Sequence, residues 1–416
     1  MFPSMGTSAS DAEHASFLRA LLMSASTVFD SKRLDPRPFE FAVALHSDQF
    51  SRWNVLSMAQ AANLVFHWYE EFRLSDFPHY KFKPKMRVIA PRFYVFRSKK
   101  HVQDPQSKSV AIRKDTTYGI ELEMSSSAEW GREAICMDLR KYGIAMANID
   151  SYSEGKQTLP CWKLVGDGSI ACSMREPNCN RFELVSPILK AEVGIGATTN
   201  LLKMMSQYNI QLNRSMGFHV HYDVSKFETP DIAKICARFL QFEEAIDLIM
   251  PKSRRTGSAE SNAYFQSNLS AAMDALSTNE EKVFDLLAQC ETVEDLAMIM
   301  NPVKLSPKDP RYFKLNFQNL VNGRQPTIEF RQHSSTANPE KVEAWIKFVV
   351  RFCENAVSSE LPAFVYSRRS ADESFQDLFQ FIIRDTVLYS FYRKRKYELS
   401  LEKEDECNCN GPCFGK

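Results

Sequence analysis

The segment Tyr118-Gly119-Ile120-Glu121-Leu122-Glu123-Met124 alternates apolar and acidic side chains, so as a strand it places two carboxylates on one face and Ile120, Leu122 and Met124 on the other. Four more segments repeat the device. Leu164 to Ile170 sets Asp167 and Ser169 on one side, Phe182 to Pro187 adds Glu183, and Gly217 to Tyr222 pairs His219 with His221. Thr327 to His333 aligns Glu329, Arg331 and His333 opposite Ile328 and Phe330. Each stretch alone would pass for a solvated strand face. Together they predict one sheet that gathers an acidic, histidine-bearing concave side.

Carboxylates crowded in this way repel one another unless a cation sits among them, and hard divalent ions prefer such oxygen ligands. Two histidines among several carboxylates, with no cysteine nearby, favour Mg2+ or Mn2+ over zinc. Arg331 adds a planar fork suited to a phosphate or a substrate carboxylate. No Walker loop is present.

The elements that must position these residues read as α+β with a mainly antiparallel sheet. Strands are expected over Met86–Phe96, Tyr118–Met124, Cys161–Ser169, Arg181–Val185, Gly217–Val224 and Thr327–His333. Helical spacing predicts helices over Ser51–Glu71, Ala128–Tyr142, Ala197–Tyr208, Thr229–Met250, Asn279–Gln289, Pro339–Val357 and Phe375–Tyr392, after one amphipathic helix within the first 35 residues. The texture divides the chain into a mixed extension over 1–110, a catalytic domain over 111–365, and a helix with a cysteine-containing tail over 366–416.

Composition narrows the class. The 416 residues are 44% hydrophobic and 12% aromatic, enough for a substantial core. Fifty-two basic and 51 acidic residues nearly cancel, so no global field argues for nucleic acid or a membrane surface. No apolar run has the ~18 residues that a spanning helix needs. Leu18–Val28 lies behind Asp11 and Glu13, too far in for a secretory signal, which predicts a cytoplasmic protein. The ten cysteines, among them Cys236, Cys290 and Cys353 inside expected helices, read as reduced core thiols. Cys161, Cys172 and Cys179 lack the paired spacing of a zinc site, and the terminal Cys407, Cys409 and Cys413 read as incidental. The basic run Arg393–Lys396 reads as a solvated face.

Taken in order, Tyr-Gly-Ile-Glu-Leu-Glu, Trp162 through Asp167-Gly168-Ser169-Ile170, Phe-Glu-Leu-Val-Ser-Pro, Gly-Phe-His-Val-His and Ile-Glu-Phe-Arg-Gln-His-Ser-Ser-Thr resemble the amidoligase family, over Lys114 to Asn355. That family belongs with the glutamine synthetase and glutamate-cysteine ligase group of carboxylate-amine ligases. The resemblance implies a glutamine-synthetase-like sheet and a two-step reaction in which ATP phosphorylates a carboxylate and an amine displaces phosphate. It implies that Glu121 and Glu329 bind the metal of the nucleotide, that Glu123 and Glu183 bind a second metal, and that His219 lies near the transferred phosphate, while leaving open which glutamate serves which ion. Arg331 resembles the arginine that binds the activated carboxylate. Asp167, Ser169, His221, Arg254 and Asn316 match positions that contact nucleotide or substrate.

The implied substrates are a small-molecule or peptide carboxylate and an amine. At Ser334-Ser335-Thr336 the chain departs from the glycine that usually precedes the threonine. Two other readings of the same face remain open at this level: a non-catalytic nucleotide- and metal-binding platform, and a metal-dependent amide hydrolase, since carboxylates and histidines also activate water.

Overall fold

In the computed structural model of the protein, the described residues are 10–31, 40–46, 52–71, 91–98, 110–150, 158–172, 177–257, 264–302, 311–359 and 370–401, with Gln49 and Leu361. The chain forms two compact units, Met1–Lys108 with Tyr392–Lys416, and Ser109–Phe391.

The first unit has a helix at Asp11–Ser31, a short helix at Val55–Ala61, and three antiparallel strands, β1 (Glu40–His46), β2 (Leu64–Glu71) and β3 (Pro91–Ser98), in the order β1-β3-β2. Leu18, Leu22, Val43, Trp53, Met58 and Phe96 join in its core. The single helix expected over Ser51–Glu71 does not form. Asn63 takes a left-handed φ of 54° and ends the helical turn. The run that follows is rich in aromatic and branched residues, and it pairs with β3. The strand expected from Met86 is seen from Pro91; its first five residues lie outside the described set.

The second unit is built on an eight-stranded sheet. Its strands are β4 (Thr117–Ser126), β5 (Met146–Ile149), β6 (Trp162–Gly166), β7 (Asn180–Val185), β8 (Leu189–Lys190), β9 (Gly217–Asp223), β10 (Leu315–Asn316) and β11 (Thr327–Ser334). The order is β10-β11-β9-β4-β7-β6-β5, with β8 also on β4. All neighbours are antiparallel except β5 and β6, so the chain is mixed α and β with a mostly antiparallel sheet.

Alternation along these strands decides which face is covered. The apolar set of β4, β9 and β11, including Ile120, Leu122, Phe218, Val220 and Phe330, is buried. Phe330 lies 5.8 Å from Phe239 and 6.0 Å from Phe352, ring to ring, on helices Thr229–Asp247 and Pro339–Ser358. Proline opens both helices, and Asn338 caps the second by accepting from the amides of Glu340 and Lys341. With helices on the apolar side, the polar set is left on the opposite face.

The last expected helix, Phe375–Tyr392, is broken. A helix at Ala371–Asp377 runs into a π-helical turn at Leu378–Ile383, Arg384 adopts φ 53°, and Asp385 accepts from the amides of Val387 and Leu388 to start a new helix at Thr386.

Behind β10 the packing is ionic. Lys314 is fully buried, with its Nζ 2.6 Å from Asp247 Oδ1, 3.0 Å from Glu243 Oε1 and 2.5 Å from Thr256 Oγ1. Burial works against its charge, but the two carboxylates hold its pKa above the ordinary value. Breaking a pair of this kind costs about 3–5 kcal/mol, so the network pins β10 to the helix behind it.

The expectation of reduced thiols is corrected at one place. Cys172 and Cys179 are joined by a disulfide in the connection between β6 and β7. Turns on either side of that connection bring their Cα atoms to 5.6 Å, within the range a disulfide spans. Cys136, Cys236 and Cys353 are free and buried, and Cys161 and Cys290 are free and partly buried. Cys407, Cys409 and Cys413 lie outside the described residues. Among the described residues no helix is long and apolar enough to cross a membrane.

Candidate active site

Register brings the polar residues together. Glu121 on β4 pairs with His219 on β9, and Glu123 pairs with Glu183 on β7. His221 pairs with Glu329 on β11, which in turn pairs with Asn316 on β10. Directly opposed residues share a face, so five strands contribute to one polar surface.

Two ligand groups result. Glu121, His219 and Glu329 each offer an atom within 4.8 Å of the others, and so do Glu123, Asp167 and Glu183. His219 stands between them: its Nδ1 is 3.2 Å from Glu329 Oε1 and 3.4 Å from Glu121 Oε2, and its Nε2 is 3.7 Å from Glu123 Oε1. His221 Nε2 lies 3.3 Å from Glu121 Oε1, while its Nδ1 lies 3.4 Å from the amide of Asn319. Gly217 makes the close approach possible. A Cβ there would fall 2.5 Å from His219 Nε2, and its bare N–H donates to Glu123 Oε2 at 2.7 Å.

The two groups differ electrostatically. Burial opposes ionisation of Glu121, yet His221 and His219 hold its carboxyl well below the usual range. Glu329 is likewise held low, against burial, by Arg331 and the two histidines. Glu183 goes the other way. Burial, followed by the charges of Glu121, Glu123 and Asp167, pushes it well above the usual range. A cation placed among these acids would relieve their repulsion.

The arginines and Asn316 hold this arrangement in place. Arg331 donates to Glu329 Oε1 at 2.6 Å, and Asn316 donates to Glu329 Oε2 at 2.6 Å, so both carboxylate oxygens are fixed. Arg331 Nε is buried without a hydrogen-bond partner. Arg254 is buried behind the ends of β9 and β11, donating to the carbonyls of Met216 (2.6 Å) and His333 (3.2 Å) and lying 3.9 Å over the Phe265 ring. Burial lowers its pKa to about 9, which leaves it charged at neutral pH.

Two expected placements are corrected. The strand carrying Asp167 and Ser169 ends at Gly166, and the next residues turn, with the amide of Ser169 donating to Asp167 Oδ1 at 2.7 Å. Asp167 therefore joins the second ligand group, whereas Ser169 is exposed and steadies that carboxylate. His333 does not share the face of Glu329. The β9–β11 register shifts between Phe330 and His333, and a one-residue bulge reverses which side later residues face. His333 pairs with Phe218 and packs against the Phe218 ring at 5.6 Å and Trp345 at 5.0 Å.

Sequence reading missed two residues. Lys163 on β6 is only 3% exposed and pairs with Val185, which pairs with Glu121. Its place two residues before Val165 and four before Asp167 carried the signal, since that parity puts it on the polar face. Asn319, beside His221, lies in the short helix Gln318–Val321 and had no periodic signal.

The donor chemistry fits hard divalent ions. An ion with ~2.1 Å bonds spans ligand atoms up to about 4.2 Å apart, so small side-chain rotations close either group. Carboxylates and one histidine, without thiolate, match Mg2+ or Mn2+. Residues 114–353, more than half of the chain, match the family model described as "Putative amidoligase enzyme". No curated protein matches the chain.

Proposed function

The chain belongs to this amidoligase family, a ligase-type group of enzymes, and on that premise we propose that it is an ATP-dependent carboxylate-amine ligase acting through an acyl phosphate. The observation that carries the reading is the pair of adjacent ligand groups, joined where His219 of the first meets Glu123 of the second, with Arg331 fixed on Glu329. We place the sheet with the glutamine-synthetase-like arrangement, whose polar concave face carries the metals.

Glu121, His219 and Glu329 would hold one Mg2+ or Mn2+, and Glu123, Asp167 and Glu183 a second. When bound, such ions offset charge on the phosphates and align the attacking carboxylate oxygen. The chain's own residues do the rest. Arg331, charged and only partly exposed, presents a fork to the oxygens of the transferred phosphoryl group. Its contact with Glu329 and the contact of Asn316 with the same carboxylate keep that fork from turning away. Arg254 ties the ends of β9 and β11, and so positions Gly217 and the bulge that carries Arg331. His221 and Asn319 brace Glu121 from the side.

In the first step a carboxylate oxygen takes the γ-phosphoryl group and ADP leaves. In the second an amine nitrogen attacks the acyl carbon, the bond to the phosphate oxygen breaks, and a proton leaves the nitrogen. Preorganised charge at a half-buried site supplies the acceleration, since phosphoryl transfer asks for little covalent chemistry from the protein.

The test is a coupled assay of ADP and phosphate release over a panel of amino acids and small peptides as acid and amine. Release that requires Mg2+ or Mn2+ and both organic substrates is the expected result. Amide cleavage without ATP would replace the ligase reading with hydrolysis.

A further inference from the structure

We propose that Lys163 is a built-in competitor for the divalent ion at Glu123, Asp167 and Glu183, and that it sets how weakly this group binds metal. The inference rests on the metal-binding reading above and concerns the chain's own charge. Register puts Lys163 on the polar face, in the row that runs through Val185 to Glu121, with Val165, Glu183 and Glu123 in the adjacent row. The residue is 3% exposed; burial works against its charge and lowers its pKa, while the charges of Glu121 and then Glu183 act the other way. A buried ammonium is expensive unless acids surround it, and here those acids are also the proposed ligands.

Charge balance gives the consequence. Five carboxylates, Glu121, Glu123, Asp167, Glu183 and Glu329, face three fixed cations, Lys163, Arg254 and Arg331. With every carboxylate ionised and both histidines neutral, as metal ligation requires, the surface is short of two positive charges, and one divalent ion makes it neutral. A second ion leaves an excess of two. Arg331 is tied to Glu329 on β11 and Arg254 to the ends of β9 and β11, whereas Lys163 stands on β6, beside the strand that carries Glu183. Glu121 is the one first-group ligand in the row of Lys163, with His219 and Glu329 further off on β9 and β11. The second group draws on β7, next to β6, and on the turn that follows β6 itself, so Lys163 opposes the ion in the second group more than the ion in the first. A unit charge and a divalent ion on one half-buried polar surface interact strongly enough to change affinity by at least ~10-fold.

Titration of the whole 416-residue chain with Mn2+ alone, followed by equilibrium dialysis, tests this. Lys163→Met should bind the weaker Mn2+ at least ~10-fold more tightly than wild type, and Lys163→Arg, which keeps the charge, should stay within about threefold of wild type. Adding Glu183→Gln to Lys163→Met should abolish the gain. Should the methionine variant fail to fold, Lys163→Gln provides the same charge removal with a polar tip. Unchanged or weaker Mn2+ binding in folded neutral variants overturns the role of Lys163 while leaving the metal site standing. A wild-type protein that binds no Mn2+ overturns both.

Discussion

Glu183→Gln is expected to abolish ligase turnover, by roughly 10²–10³-fold or more, while raising the unfolding temperature of the metal-free protein. The two effects have one cause. Burial and three neighbouring carboxylates push the Glu183 pKa well above its ordinary 4.5. The folded state then keeps this proton to higher pH than the unfolded state does, so the residue's contribution to stability falls as pH rises from the ordinary glutamate range through the raised value. Above the ordinary glutamate range the wild-type folded state either keeps a proton that the unfolded chain has released or holds a buried charge, and glutamine carries neither cost. In chelator, the titration-linked stability difference between variant and wild type should vanish below about pH 4, where this glutamate is protonated in the folded and the unfolded state alike, and should grow as pH rises. Mn2+ should reverse the order, because it binds the folded wild type and stabilises it by mass action. A variant less stable than wild type in chelator at neutral pH would contradict the electrostatic account of the second group.

The same substitution at Glu329 should have the opposite effect on stability. Burial works against this carboxylate too, but Arg331 at 2.6 Å and the two histidines hold its pKa below the ordinary value. Glu329→Gln removes the partner of a buried arginine. Such losses cost about 3–5 kcal/mol, and the lower end applies because Glu123 and Glu121 also attract Arg331. Activity should fall by roughly 10²–10³-fold, since one ligand is lost and the guanidinium is no longer anchored. Denaturant unfolding in chelator is the measurement. Two isosteric Glu→Gln changes on one sheet face that shift stability in opposite directions separate electrostatics from packing, which both preserve.

Strand periodicity made the site legible where strands are regular. Glu121, Glu123, Glu183, His219, His221 and Glu329 could be placed on one face because a strand with one apolar side fixes the other by parity. Parity fails at irregularities. A bulge after Phe330 sends His333 into the core, and nothing in Phe-Arg-Gln-His marks the extra residue. Past Gly166 a turn replaces the strand, and Asp167 reaches the acidic group through the loop while Ser169 does not. Lys163 was overlooked because a single lysine in an apolar strand reads as an outward, solvated residue, and burial is a tertiary property.

Other misses have similar origins. Over Ser51–Glu71, apolar residues fit helical spacing, but the strand preference of Val65, Phe66, Trp68 and Tyr69 and the sheet partner offered by β3 decide the outcome. The Cys172–Cys179 bond depends on where the two cysteines are placed in space, which spacing alone does not specify.

The most direct test of the central claim is anomalous diffraction from crystals grown with Mn2+ and a non-hydrolysable ATP analogue. Two manganese peaks are predicted, one among Glu121, His219 and Glu329 and one among Glu123, Asp167 and Glu183, with the terminal phosphate within hydrogen-bond reach of Arg331. A nucleotide bound elsewhere, or no manganese at either group, would contradict it.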